Sequence, residues 1–164
     1  MNTFFHKFEV RWSDLDANMH LANTAYVAYC AQTRMAFMNK HRIGMRELSK
    51  WGIGSVILHE RYSFFKEMYM GQEVIVSLEL DGISDDGGIY RFIHKFYLPD
   101  GTHCATAEAT GVWIDMRARK STIPPLEMVE VIHQVKTFKT KVLTKEDIKA
   151  LPFPNESIDP AEFK

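Results

Sequence analysis

Hydrophobic and polar residues alternate through Phe4-Phe5-His6-Lys7-Phe8-Glu9-Val10-Arg11-Trp12, the two-residue period of a strand. A polar stretch, Ser13 to His20, interrupts this pattern. From about Asn23 to Asn39 the period changes: Ala22, Tyr26, Tyr29, Cys30, Thr33 and Phe37 recur every three or four positions, predicting a helix that buries one face. A short second helix is expected at Met45 to Lys50, ended by Trp51-Gly52. The texture then becomes that of strands: Ser55 to Phe65, Glu73 to Leu80 with Val74, Val76, Leu78 and Leu80 on one face, Ile89 to Leu98, and His103 to Asp115. Asp85-Asp86-Gly87-Gly88 and Pro99-Asp100-Gly101 supply the turn chemistry between them.

Within the last of these strands, Ala105, Ala107, Ala109 and Gly111 leave one face nearly free of side-chain bulk, which allows close approach of another element. The long helix is the natural occupant, so this strand is expected to be central, with the helix across it. The order strand, long helix, four antiparallel strands gives an α+β fold in which one sheet wraps one helix. Such a sheet keeps an exposed edge, and dimerisation is a common remedy. Pro124-Pro125 opens a further helix to about Gln134. A single domain is expected over 1–135, followed by a charged tail over 136–164, helical only where Thr144-Lys145-Glu146-Asp147 resembles a capping box.

Composition narrows the choices. The 164 residues are 46% hydrophobic and carry a net charge of -1, enough for one core and unlike the basic surface of a nucleic-acid binder. The N-terminal residues lack the apolar run of a secretory leader, and no segment reads as a membrane span. Cys30 and Cys104 have neither disulfide-framework nor zinc spacing, so buried inert thiols, no metal and a cytoplasmic location are expected.

The chemistry concentrates in residues 11–34. Asp14, Asp16, His20 and Asn23 fall within ten positions at the entry to the long helix. A helix entry offers unpaired N–H groups and a positive dipole end, which can hold a carbonyl oxygen as it becomes an oxyanion. A neighbouring carboxylate can then attack the carbonyl carbon or deprotonate a water that does so. Each residue also has a structural role open to it. Asp16 and Asn23 can cap the turn or the helix, Asp14 can form the turn at the strand end, and His20 can be a satisfied core histidine.

The string Asp14-x-Asp16-x-x-x-His20-x-x-Asn23-x-x-Tyr26, followed by Arg34, resembles the opening of hotdog-fold acyl-CoA thioesterases of the 4-hydroxybenzoyl-CoA thioesterase type. It is also similar to acyl-carrier-protein thioesterases. The resemblance runs from residue 8 to about 130, through Val112-Trp113-Ile114-Asp115 and Pro124. It implies a hotdog fold and hydrolysis of an acyl-CoA or acyl-carrier-protein thioester to acid and free thiol. It places Asp16 in the catalytic position, with amides around Asn23 to Tyr26 polarising the carbonyl. His20 and Asn23 are further catalytic candidates, and Tyr26 a pocket wall. The surface cations Arg117, Arg119 and Lys120, otherwise a solvated loop, are candidate contacts for the phosphates of CoA, with Arg61 and Lys66 weaker candidates of the same kind. No cofactor is implied, CoA being part of the substrate; a homodimer or homotetramer is. Two departures stand out: Gln32 where many relatives carry glutamate, and Tyr62-Ser63-Phe64-Phe65-Lys66 where a proline is usual. His59 and Glu60 sit on opposite sides of a strand, and one of them must face inward or into a subunit interface. A non-catalytic acyl-binding protein and an enoyl-thioester hydratase are the alternative classes, the latter lacking its Asp and His motif here.

Overall fold

The structure is a computed structural model and describes residues 3–163. Strand β1 (Phe4–Glu9) leads through a 3-10 turn at Trp12–Asp14 to helix α1 (Asn23–Lys40) and short helix α2 (Met45–Trp51). Strands β2 (Ile53–Phe64), β3 (Glu73–Ile83), β4 (Ile89–Tyr97) and β5 (His103–Asp115) follow, then β6 (Lys120–Ser121), α3 (Leu126–His133), β7 (Lys136–Val142) and α4 (Lys145–Lys149). The main sheet runs β1-β3-β4-β5-β2, every neighbouring pair antiparallel. α1 packs against its inner face, giving the expected α+β hotdog arrangement.

The strand period explains the inner face. Val74, Val76, Leu78 and Leu80 are all fully buried, as their alternation requires. Two apolar clusters result. One joins Val10, Tyr26, Tyr29, Cys30, Phe96 and Ala105 near the N-terminus of α1; the other joins Phe37, Leu80, Tyr90, Phe92, Trp113, Met128 and Ile132 at the far end. Both cysteines are buried free thiols. Phe8 stacks on Tyr29 with ring centroids 4.2 Å apart, pinning β1 to α1. No helix among the described residues is long and apolar enough to cross a membrane.

Two expectations need correction. β5 is an interior strand but not the central one; that place belongs to β4. Its small face does lie in the core beside Tyr26, Tyr29 and Cys30, yet it also makes room for large groups from both flanking strands. Phe96 and Phe64 flank Ala105, His94 and Tyr62 flank Ala107, and Phe92 and Glu60 flank Ala109. Small residues here let cross-strand rings meet as much as they admit the helix.

The second correction concerns the region from Lys136 onward, expected to be a tail. β1 covers the β3 edge only as far as Leu78, leaving the backbone beyond it unpaired. β7 takes up that edge in parallel, matching Leu80 with Lys136 and Ile83 with Val142. Thr140 fastens the intervening irregularity, its hydroxyl donating to the Leu80 carbonyl at 2.6 Å. Gly82 permits the approach of the Leu143 side chain, since a Cβ there would collide with it. The lysines of Lys-Thr-Phe-Lys-Thr-Lys-Val are edge-strand chemistry, which on the sequence alone looks like solvated chain. α4 begins with the anticipated capping box, Thr144 N–H donating to Asp147 at 2.7 Å.

Candidate active site

Residues 15–21 fold back as a tight loop. Leu15 bridges Leu21, Asp16 N–H donates to the His20 carbonyl at 3.0 Å, and Met19 N–H donates to the Asp16 carbonyl at 3.0 Å. Met19 takes the left-handed conformation with φ of 65°, the position that glycine usually holds in a three-residue hairpin loop. The loop is anchored on both sides: Leu21 N–H donates to the Met68 carbonyl and Ala22 N–H to the Asp14 carbonyl. Asp16 is thereby held beside the start of α1.

Asp14 does the anchoring. Its carboxylate accepts hydrogen bonds from Arg11 N–H, from the Arg11 guanidinium at 3.0 Å and from the Tyr29 hydroxyl at 2.9 Å. The Arg11 hydrogen bond, chiefly, holds its pKa below the usual carboxylate range. Asp14 therefore joins β1, the loop and α1, the structural role open to it from its place in the chain.

Asp16, His20, Leu21, Asn23, Tyr26, Phe64, Phe65, Lys66 and Glu67 line one cleft of about 610 Å³. One Asp16 oxygen accepts the Asn18 N–H at 2.8 Å; the other lies 3.5 Å from His20 Nδ1. Both side chains are about a quarter to a third exposed, so water reaches them. Asn23 is not the helix cap: Ala22 holds that position, and Asn23 is the first helical residue. Its Oδ1 accepts the Thr24 N–H at 3.0 Å, which orients Nδ2 as a donor. Ala25 N–H is engaged by the Ala22 carbonyl. The amides that can polarise a carbonyl therefore narrow to Asn23 itself. Burial, with smaller contributions from Cys104 and Asp16, pushes the Tyr26 hydroxyl up to about 12, so Tyr26 is a neutral wall.

The other expected residues do not join this cleft within one chain. Arg61 points to the opposite face of β2 and pairs with Glu108 at 2.9 Å. Arg117, Arg119 and Lys120 lie in the β5–β6 hairpin, beyond Asp115, whereas the cleft lies at the Ala105 end of the same strand. Ten residues of strand put the two about 30 Å apart. Gln32 lines a separate groove with Phe8, Glu9, Arg11 and Tyr29. Glu60 is the inward residue of its pair, facing Ala109, while His59 faces outward; a bulge at Leu58 sets this phase. Phe65, Lys66 and Glu67 are wall residues of the cleft. Lys66 had been singled out only as a surface cation, and the other two follow β2 without a pattern of their own.

A family model described as the thioesterase-like superfamily matches residues 10–156. The chain belongs to this superfamily. The family match runs through β7 and α4. The chloroplastic acyl-acyl carrier protein thioesterase ATL2 of Arabidopsis thaliana is 28% identical over 122 residues, 73% of this chain. The chain spans 64% of that relative's length. Among solved structures, a 1,4-dihydroxy-2-naphthoyl-CoA thioesterase from Synechocystis is similar with a TM-score of 0.71 at 16% identity, over 79% of this chain and 95% of the other. A Staphylococcus aureus protein solved in complex with CoA reaches a TM-score of 0.73 at 17% identity, over 94% of this chain and 96% of that one. At such identities the likeness establishes the hotdog fold of this thioesterase-like chain.

Proposed function

We propose that the chain hydrolyses acyl thioesters of CoA or acyl carrier protein in the Asp16 cleft. The observation carrying this reading is the convergence of Asp16, His20 and Asn23 on one cleft at the positive end of α1. A water attacks the thioester carbon while Asp16 takes its proton. The Asn23 N–H and Nδ2–H hold the oxyanion that forms. The carbon–sulfur bond then breaks, and the thiolate leaves and takes up the proton that Asp16 accepted, passed on through His20 or solvent, which returns Asp16 to its carboxylate form. The reaction draws on no metal or cofactor, because a thioester has a good leaving group.

The basic run enters through a second copy of the chain. β2 is an edge strand, paired only with β5 among the described residues, and exposes Leu58 and Phe64. Antiparallel pairing of two β2 edges about a two-fold axis sets the Phe64 end of one chain against the Ile53 end of the other. Ile53 pairs with Asp115, where the basic hairpin begins. The partner's Arg117, the partner's Arg119 and the partner's Lys120 thus approach the cleft, positioned for CoA phosphates.

In water enriched in oxygen-18, a panel of acyl-CoA and acyl-carrier-protein thioesters is expected to yield free thiol and acid carrying one labelled oxygen. With enzyme in excess, unlabelled acid in the first turnover would instead assign direct attack to the Asp16 carboxylate. Binding without any thiol release would overturn the hydrolytic reading in favour of an acyl-binding protein. Mixing Asp16→Asn chains with chains bearing Arg117→Glu, Arg119→Glu and Lys120→Glu is expected to restore activity that neither has alone. Absence of restoration would contradict the shared site.

A further inference from the structure

The inner face of β2 continues inward from the cleft as Phe64, Tyr62 and Glu60, opposite Ala105, Ala107 and Ala109 on β5. On α1, Cys30 lies one turn beyond Tyr26. Tyr26 and Phe64 meet edge to face across the mouth, ring centroids 4.9 Å apart, and Phe64 stacks over Tyr62. Phe64 is about half exposed within one chain. Behind that ring the inward-facing residues of β2 change from apolar to polar.

The Tyr62 hydroxyl is buried and makes no hydrogen bond of ordinary geometry among the described residues; Glu60 and Cys30 are the polar groups nearest to it. Burial foremost, then Cys30 and Glu60, raises its pKa, so it stays a neutral donor and acceptor. Nearby, Arg34 Nη1 donates to His94 Nε2 at 3.2 Å, and His94 Nδ1–H donates to the Ser77 carbonyl at 2.8 Å. That single bond uses one of the five guanidinium N–H groups. Arg34 and Glu60 are both close enough to bias Cys30 and Tyr62 electrostatically. Donors and an acceptor therefore face the small-residue face of β5 between the two apolar clusters. His59 Nδ1 and Trp113 Nε1 also lack partners, but His59 is on the outer face and Trp113 lies in the far cluster. Only Tyr62 stands on the line leading in from the cleft.

A buried hydroxyl without a partner is costly in a packed core and calls for an explanation. A plain hydrocarbon chain passing Tyr62 would leave it so; an oxygen on the chain would complete it. We propose that Tyr62, backed by Glu60 and Arg34, determines specificity by hydrogen-bonding an oxygen, a hydroxyl first of all, carried on the acyl group. This rests on the cleft being the thioester site, and it deepens that reading by naming the class of acyl group. A site built to hydrogen-bond a hydroxyl discriminates far more strongly than an apolar pocket that merely tolerates one.

The test uses non-hydrolysable thioether analogues of acyl-CoA of one chain length, one plain and the rest with a hydroxyl walked along the chain. Calorimetric titration of the full-length protein is expected to find one hydroxyl position bound at least about 10-fold more tightly than the plain chain. Tyr62→Phe keeps the ring and is expected to erase that advantage while changing plain-chain affinity by less than about 2-fold. Glu60→Gln is the second variant, expected to reduce the advantage if Tyr62→Phe fails to fold. Equal binding of all analogues by the wild type, or equal weakening of plain and hydroxylated chains by Tyr62→Phe, would overturn the proposal. Thiol release from the matching thioesters is read separately: preference without turnover refutes hydrolysis and not the pocket, and turnover without preference does the reverse.

Discussion

Acidifying the protein from pH 6.5 to 4.5 is expected to remove about 2 kcal/mol of folding stability through His94 alone. Its imidazole is fully buried in β4. Burial foremost, then the Arg34 guanidinium, holds its pKa down at about 3, against the opposing hydrogen bond to the Ser77 carbonyl. An unfolded histidine takes a proton near pH 6.5. Between these two values the unfolded chain binds one more proton than the folded one, so stability falls as the pH falls, by about 1.4 kcal/mol per unit. Above pH 6.5 both states are neutral and the effect vanishes. The loss is a large share of the roughly 5–15 kcal/mol that holds a domain folded. Urea unfolding of wild type and His94→Gln between pH 7 and 4.5 checks it. The wild-type midpoint should fall with pH and the variant's should stay nearly level; parallel slopes would contradict a neutral buried histidine. Below pH 4 a second loss is expected, from Asp14. Its lowered pKa means that its contribution is present above the ordinary carboxylate range and disappears as the pH falls through the folded value.

Asp16→Asn is expected to lower thioester turnover by about 100- to 10,000-fold while leaving the fold intact. The amide keeps an oxygen for the Asn18 N–H, so the turn that presents residue 16 survives. It loses the basic lone pair that accepts a proton from water. KM should change little, because Asp16 touches the reacting centre and the long CoA arm binds elsewhere. Steady-state kinetics with a thermal-melt control measures both. Unchanged turnover with a native melt would remove Asp16 from the mechanism.

The elements were largely legible because each carried its own period. The α1 stripe Tyr26, Tyr29, Cys30, Thr33 and Phe37 is buried as spaced, and β3 buries Val74, Val76, Leu78 and Leu80. What escaped the sequence was relational. β7 exists because β1 stops at Leu78 and leaves backbone to pair, and nothing local to Lys136–Val142 signals that vacancy. The β5 stripe was visible, but its neighbours follow from strand order, which periodicity does not encode.

The site shows the same division. Asp16, His20 and Asn23 lie close in sequence at a helix entry, so their convergence could be anticipated. Asn23 as first residue and not cap depends on where the backbone turns, and Ala22 occupies the cap with no side chain to announce it. Arg61 points away from the cleft because the β2–β5 register sets it against Glu108. Tyr62 stood out in the sequence only within the segment that replaces the usual proline, and the β2–β5 register is what sets it opposite Ala107 behind Phe64.

The central claim is that a thioester carbonyl is held by Asn23 and attacked beside Asp16. A structure of the protein with a non-hydrolysable ketone analogue of acyl-CoA, in which a methylene separates the carbonyl from the sulfur, tests it most directly. The account predicts the carbonyl oxygen within hydrogen-bonding distance of Asn23 N–H or Nδ2, with Asp16 reaching a water on the carbonyl carbon. An acyl group seated instead in the groove of Phe8, Arg11, Tyr29 and Gln32, away from Asp16, would contradict it.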